Sequence, residues 1–560
     1  MPWLIADNGV RNPHRLKYGL QALVNSEFHG NFNKINEEGM TRLLEEQGII
    51  SLQTNSDNTI ARKWRVNLIR LGFISKDTHT VTNNGRSLIH SESLPEQEDC
   101  FLRALLMHQL PSVLHPMKEG DINNPFNPLR LILEVLNLLS KRGEQETISK
   151  NEMASILMLH YSMDDVSNIV DEIINYRKQR EKSVGNLRKF DKLYRENAAK
   201  KDGGRVSADS LIAYADVNIR YLRLSGLFAE EGVSRLSIAV HKHTIVQQIL
   251  STPYCSVLND DAYKKALGNG AMLPTDNESE AIVAIRDLNL LLNKNGELVE
   301  NLPVNLHDLD AKELTRIRIR LENQWIHLLE KQFALEQKNQ WQEIIQYMKA
   351  LQQPTRIGKR DSIIPSGEGP AYLEWTIWRA FLAINSLHNK PWEARRFIID
   401  RNFLPVRHAS GGDADMIFEF EEFVVVVEVT LTTSSRQEAA EGEPVRRHVA
   451  KHVDYYSKMG KRVYGLFIAN SVDTNTAETF RIGVWYRSDD SQMAVQIVPI
   501  TLRNFTDIFE SLFQSKPDEN HSNYLRQLMN DLLSFSNYSA PQWKKQMEED
   551  INRKLIQLNA

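Results

Sequence analysis

Hydrophobic positions change their period along this chain of 560 residues. Over residues 12–120 they recur mostly at helical spacing, and 15–24 and 37–46 read as amphipathic helices. In the next stretch, 60–71, Ala61, Trp64, Leu68 and Leu71 share one face, while Arg62, Lys63, Arg65, Asn67 and Arg70 fall off it. Asp57, Asn58 and Thr59 offer an N-cap, and Gly72 ends the helix. Phe73 and Ile74 then start an extended segment, residues 78–82 alternate like a strand, and Asn83-Asn84-Gly85 reads as a turn. Helix, helix, basic helix and small hairpin is the order of a winged-helix module, whose basic helix enters the major groove. The plainer alternative is a helical domain with a solvated basic face.

Residues 211–240 echo this pattern. Leu211, Ala215, Ile219 and Leu222 form the apolar face, and Asn218, Arg220 and Arg223 lie off it. Leu222-x-x-x-Gly226 repeats Leu68-x-x-x-Gly72, and a turn and an alternating strand over 235–240 follow. Two such units predict two winged-helix-like modules. Between them, 129–141 and 163–180 read as helices. They lead into a basic run over 177–201, broken at Val184-Gly185-Asn186 and followed by a Gly203-Gly204 loop.

After residue 275 the pattern turns to long helices, 277–293 and 311–351, and then a polar run from Pro354 to Gly369 that reads as a linker. The last third is different again. A helix over 371–387 carries Glu374 beside its apolar face. Asp415 precedes a short strand and a tight turn, and the run Val424 to Val427 predicts a buried central strand. Glu428 stands where that strand should leave the sheet. Pro444 starts another helix, Gly460 ends it, and 461–469 is a second buried strand. Strand, helix, strand implies a crossover in an α/β sheet.

Composition changes this picture little. At 41% hydrophobic and 25% charged the chain is ordinary for a globular protein, with no apolar run long enough to span a bilayer and no signal-peptide pattern at its start. Cys100 and Cys255 make neither a disulfide framework nor a zinc cluster, which points to a reducing, cytoplasmic compartment. The net charge of −4 hides local basic stretches at 60–90 and 177–201.

The acids of the last third carry the candidate chemistry. Asp415 and Glu428, on the two arms of a hairpin, can meet one hard cation. Magnesium prefers such oxygen ligands, and Glu374 can bind or orient the same ion. Glu441 and Glu443 open the Pro444 helix and complete the cluster. His448 and His452 lack a third zinc ligand and read as phosphate-contacting or surface histidines. No Walker loop is present.

Glu374, the Asp415-x12-Glu428-x-Thr430 hairpin and the downstream EGEPVRRH resemble the nuclease domain of type IIS restriction and nicking endonucleases of the AlwI and BstNBI kind. NPHRLKYGLQAL and RKWRVNLIRLGFI resemble that family's N-terminal half, so the resemblance covers most of the chain. It implies a bacterial, Mg²⁺-dependent enzyme that binds a short asymmetric site in double-stranded DNA. Cleavage then falls a few bases to one side, in a core of the PD-(D/E)XK type. It puts Asp415 and Glu428 at the metal, Glu374 on the supporting helix, and Glu441 or Glu443 as a fourth acid. Thr430 departs from that signature, where a lysine is usual. Arg446, Arg447 and His448 become candidates for phosphate contact.

The fold expected is therefore multidomain. Residues 1–125 and 126–275 form α-rich, winged-helix-like recognition subdomains, 276–365 a helical linker, and 366–560 an α/β nuclease. Arg62, Lys63, Arg65, Asn67 and Arg70, then Asn218, Arg220 and Arg223, are the candidate DNA contacts. One active site per chain means that double-strand cleavage requires a second subunit, a transient dimer or sequential nicks. A non-catalytic winged-helix regulator and a structure-specific repair nuclease on the same core are the competing readings.

Overall fold

The structure, a computed structural model, describes residues 2–10, 12–50, 59–117, 124–183, 185–201, 203–231, 235–299, 301–359, 362–433, 436–515 and 521–559. The chain divides into two compact units, Met1–Ile326 and His327–Ala560. The boundary falls inside 276–365, the region expected to be a linker. Helices from that region contribute to cores: Ala284 packs in the first unit, and Ile344, Ile345, Met348 and Leu351 pack in the second.

The first unit opens with α1 (Leu16–Val24), α2 (Glu37–Glu46) and α3 (Thr59–Arg70). The expected cap residues Asp57 and Asn58 lie outside the described residues. The expected strand over 78–82 is reduced to a single antiparallel bridge, Ile74 to Val81. Asn83-Asn84-Gly85 makes no turn; it begins α4 (Asn83–His90), because the Thr82 hydroxyl caps the Gly85 N–H at 3.1 Å. Gly85 is required there by close approach, since a Cβ would lie 2.2 Å from the Phe73 carbonyl oxygen. Helices α5 (Leu94–Met107) and α6 (Pro128–Lys141) follow.

The second half of this unit runs β1 (Thr147–Ser149), α7 (Lys150–Ser155), α8 (Val166–Lys182), α9 (Leu187–Lys201), α10 (Ala208–Arg223), β2 (Phe228–Glu231) and β3 (Arg235–Ile238). The strands form an antiparallel sheet in the order β1-β3-β2. The expected turn between β2 and β3 lies outside the described residues. Gly72 and Gly226, the paired helix ends of the sequence echo, both adopt left-handed backbone, at φ +71° and +67°. Asn67 and Tyr221 stand at equivalent positions of the echo and are hydrogen-bonded to each other, Nδ2 to the hydroxyl, at 2.8 Å.

Helices α11 (His243–Ser251), α12 (Asp260–Asn269) and α13 (Glu278–Lys294) complete the unit, with the first part of α14 (Ala311–Glu336). There Glu322 takes Lys242 at 2.7 Å and Arg318 at 2.9 Å, all three buried. Removing one member of such a buried set costs about 3–5 kcal/mol.

The second unit is built on a four-stranded sheet. Helices α15 (Trp341–Leu351) and α16 (Gly369–Ile384) precede it, with a single turn α17 (Pro391–Ala394) and a small pair β4 (Ile398–Ile399) and β5 (Pro405–Arg407). Then come β6 (Met416–Glu419), β7 (Phe423–Thr430), α18 (Glu443–Tyr456), β8 (Arg462–Ala469) and α19 (Thr474–Arg481). A hairpin, β9 (Val484–Tyr486) and β10 (Gln492–Ala494), leads to β11 (Ile497–Thr501). The main sheet order is β11-β8-β7-β6, antiparallel between β6 and β7 and parallel elsewhere. Helices α20 (Leu502–Ser515), α21 (His521–Ser534) and α22 (Ala540–Asn559) close the unit.

Val424 to Val427 are fully buried in the centre of this sheet, as the apolar run predicts. Each such side chain contributes about 1.5–3 kcal/mol by leaving water. Their period of two divides them between layers. Val425 and Val427 pack with α16 and α20, and Val424 and Val426 pack with Val445 and Val449 of α18. Glu428 and Thr430 continue the second series, toward α18. Glu428 is not at the strand's exit: β7 stays paired with β8 for two more residues, to Thr430 opposite Ala469.

Candidate active site

Four elements of the second unit bring acids to the end of β7. In α16, whose residues are almost all buried, Glu374 is 5% exposed and accepts the Ala409 N–H at 2.7 Å. Asp415 lies one step beyond the last paired residues of the hairpin, Met416 and Val427. It is half-buried, and its Oδ2 accepts the Val429 N–H at 3.0 Å. Asp415 also shares a hydrogen bond with the Glu428 carboxyl. Glu428 is 7% exposed, and its Oε1 meets His448 Nδ1 at 2.6 Å.

The electrostatics follow from burial of like charges. Burial and then the neighbouring charges of Asp415 and Glu428 raise Glu374 well above the usual carboxylate range. Burial and the charge of Glu428 do the same to Asp415. Glu428 is pushed up to about 8, by burial first and then by Glu441 and Asp413.

The two further acids separate cleanly. Glu441 sits in a π-helical turn, Glu438–Gly442, that leads into α18; it is half-buried and receives the Thr430 hydroxyl. Glu443 is exposed and pairs with Arg447 at 3.0 Å. The structure thus brings Glu374, Asp415, Glu428 and Glu441 toward one place and leaves Glu443 outside it.

The histidines differ from expectation. Neither is at the surface. His448 bridges to Glu428, and its Nε2 is buried with no hydrogen-bond partner among the described residues. His452 Nε2 bonds Asp413 at 2.8 Å. Asp413 also receives Lys451 at 2.6 Å, and these partners hold it well below the usual carboxylate range against the opposing effect of burial. Sequence reasoning passed over Asp413. It also missed that the helical spacing of His448 and His452 matches the spacing of Val445 and Val449, which face the sheet. Arg446 donates to the Val484 carbonyl and stacks on Trp485, so it is committed to the fold.

The candidate DNA contacts in the first unit are largely engaged. Asn67 is fully buried: it accepts the Asp7 N–H at 2.7 Å and donates to the Asp7 carbonyl at 3.1 Å. Asn218, equally buried, accepts the Ile5 N–H at 2.9 Å and donates to the Trp3 carbonyl at 3.1 Å. These two side chains clamp the segment at 3–7 and do not face a groove. Arg65 pairs with Glu37 at 2.6 Å, Arg220 with Asp216 at 3.0 Å and Arg223 with Glu230 at 2.9 Å. Arg70 is half-buried, and Lys63 lies half-buried across Gly9. Arg62 alone of the eight is exposed.

Desolvated acids with a hard, all-oxygen donor set fit a divalent cation such as Mg²⁺. Among the described residues, no three His, Cys, Asp or Glu side chains are set to hold a metal ion as they stand. That is compatible with magnesium, which takes one or two carboxylates and completes its shell with water and substrate phosphate.

Comparison with known families places the chain among the type II restriction endonucleases, enzymes that bind and hydrolyse DNA. It belongs to the AlwI restriction endonuclease family, which matches it over residues 69–508. No curated protein matches the sequence. Solved structures similar to it include two restriction endonucleases. One is the small subunit (R.BspD6I2) of the heterodimeric restriction endonuclease R.BspD6I, 24% identical, covering 38% of this chain and 98% of that one at a TM-score of 0.29. The other is restriction endonuclease FokI, 11% identical, covering 94% of this chain and 98% of that one at a TM-score of 0.26. Membership of a nuclease family sets aside the non-catalytic regulator. Among the described residues, no helix is long and apolar enough to cross a membrane.

Proposed function

We propose that the chain is a Mg²⁺-dependent type IIS endonuclease of the bacterial cytoplasm, with a PD-(D/E)XK-like core at the end of β7. One observation carries this reading: Glu374, Asp415 and Glu428 are desolvated together, and burial with neighbouring acid charge raises each of them, an arrangement that a bound cation relieves. Asp415 and Glu428 would hold the ion, and Glu374 would bind or orient it from α16. When bound, the ion polarises the scissile phosphoryl group and lowers the pKa of water.

The chain's own residues supply the rest. Glu428 keeps His448 in one orientation through Nδ1, with Nε2 unengaged among the described residues and available for proton exchange. Thr430, standing where the signature has lysine, holds Glu441 beside the site. Glu443 takes no part. Asp413 fastens α18 through Lys451 and His452, so His448 stays in register with β7.

Recognition belongs to the first unit. The order α6, β1, α7, α10 and the hairpin β2–β3 supports a winged-helix-like module over 126–275, with α10 as its third helix. The module over 1–125 has the helices but a wing of one bridge. Arg62 is the best placed of the candidate contacts.

Glu428→Ala tests the site. Sequence-specific binding is retained and Mg²⁺-dependent cleavage is lost; cleavage at wild-type rate by that variant would remove the proposal. Sequencing both strands of cut plasmid separates nicking from double-strand cleavage, which for one site per chain requires a second subunit, a transient dimer or sequential nicks.

A further inference from the structure

We infer that the helical hairpin α8–α9 is a separate DNA-contact surface that grips the phosphate backbone outside the bases being read. It rests on the chain acting on DNA, and on neither the metal site nor the recognition helices proposed above.

The hairpin lies between α7 and α10 in the chain and packs on the unit's core, with Arg177 of α8 paired to Glu152 of α7 at 2.7 Å. Tyr176 packs on Tyr194 and Phe190, with ring centroids 4.8 and 5.8 Å apart. The buried acid Asp191 accepts the Tyr176 hydroxyl at 2.6 Å and Arg180 Nε at 2.8 Å. The α9 acid nearest the hairpin's core is therefore spent inside. Outside, Arg188, Lys189, Lys192 and Lys200 are all exposed.

At 3.6 residues per turn these four fall within roughly one third of the helix circumference, along about 18 Å of its length. That length matches about five phosphates of one strand, at 3.4 Å per nucleotide. One acid, Glu196, lies in the stripe, 3.9 Å from Lys192, and both are solvated. Glu181 is the exposed acid at the end of α8. Neither neutralises Arg188, Lys189 or Lys200, for which no ion pair is found among the described residues.

The contrast with the predicted recognition helices is what gives the stripe meaning. On α3 and α10 the arginines Arg65, Arg220 and Arg223 have acidic partners. On α9, by contrast, four cations stand exposed together on one face. In a chain of net charge −4, such a predominantly basic face is a local field that attracts a polyanion. Duplex DNA is the polyanion this family acts on, and a flat row of cations suits its backbone and carries no base readout.

The test combines R188A, K189A, K192A and K200A in the full chain. A control variant removes four exposed cations elsewhere in the same unit: K34A, K265A, K312A and R316A. Affinity for a labelled duplex lacking any cleavage site is measured by anisotropy over a salt series, with thermal melts to verify folding. Each lost phosphate contact flattens the log K against log salt slope by roughly 0.9, so the hairpin variant should lose up to about 3.6. The control should keep the wild-type slope, and the positions cut in plasmid DNA should not move. A hairpin variant with the wild-type slope overturns the inference. So does a control that loses as much, because net charge alone would then explain the effect.

Discussion

His448 bonds Glu428 through Nδ1 at 2.6 Å and buries Nε2 without a partner among the described residues. An unsatisfied ring nitrogen inside a protein is costly, and this one stands beside the acids of the proposed site. Burial, and then Arg447, lowers its pKa, which favours the neutral ring. His448→Ala should slow single-turnover DNA cleavage by about 10²–10⁴, the usual scale of a positioned base, with DNA affinity unchanged. Cleavage within a factor of two of wild type would remove His448 from the chemistry.

Glu428 makes folding pH-dependent in an unusual direction. Its carboxyl titrates at about 8 in the folded chain, against 4.5 ordinarily. Between those values the folded state binds the extra proton, so stability falls as pH rises through the window. Glu428→Gln removes this penalty. Its metal-free melting temperature should exceed that of wild type by a margin that widens from low to high pH. Each 1 kcal/mol relieved is worth roughly 2–4 °C in a unit of this size. A margin constant with pH would contradict the assignment.

The same raised acids should surrender protons to a metal. Mg²⁺ titrated into the protein at neutral pH is expected to release protons. Calorimetry in two buffers of different ionisation enthalpy measures the number released. Asp415→Asn and Glu428→Gln should each reduce it. Binding with no proton release in wild type would show that the ion goes elsewhere.

Asp413 is a structural fastening. Asp413→Ala frees Lys451 and His452 while α18 keeps its Val445 and Val449 packing on the sheet and the His448 bond. Cleavage should fall by roughly tenfold to a hundredfold, the range for loss of an outer-shell partner. Affinity for DNA should be unaltered. A filter-binding assay beside a cleavage assay distinguishes the two effects.

Asn67 and Asn218 should behave as core residues. Replacing either with Ala strands the backbone groups of the segment at 3–7, at a cost of about 1–3 kcal/mol in a urea melt. The sequence that is cut should not change. Arg62→Ala should do the reverse, weakening DNA binding at constant stability.

What could be read in advance was whatever depended on local pattern. The four valines announced a central strand, and the acids at its margins followed from chain position. The left-handed glycines at 72 and 226 were equally visible as helix ends. Asn67 and Asn218 were misread because polar residues among arginines look like base readers; their burial depends on residues 3–7, far away in the chain. The inward face of His448 was legible in its spacing from Val445 and Val449, but its partner Glu428 depends on how the crossover sets α18 against β7. Asn83-Asn84-Gly85 has the composition of a turn, and only the Thr82 cap makes it a helix start.

The bond between Asn67 and Tyr221 joins corresponding places in two versions of one pattern. Contacts of that kind lie on the axis of a two-fold dimer, where one sequence must serve both halves at once. Here the halves share a chain but not a sequence, and the two partners are already different amino acids. A substitution in one half is not copied into the other. Each half is free to vary on its own, so a change at Asn67 places no matching demand on Tyr221's own helix.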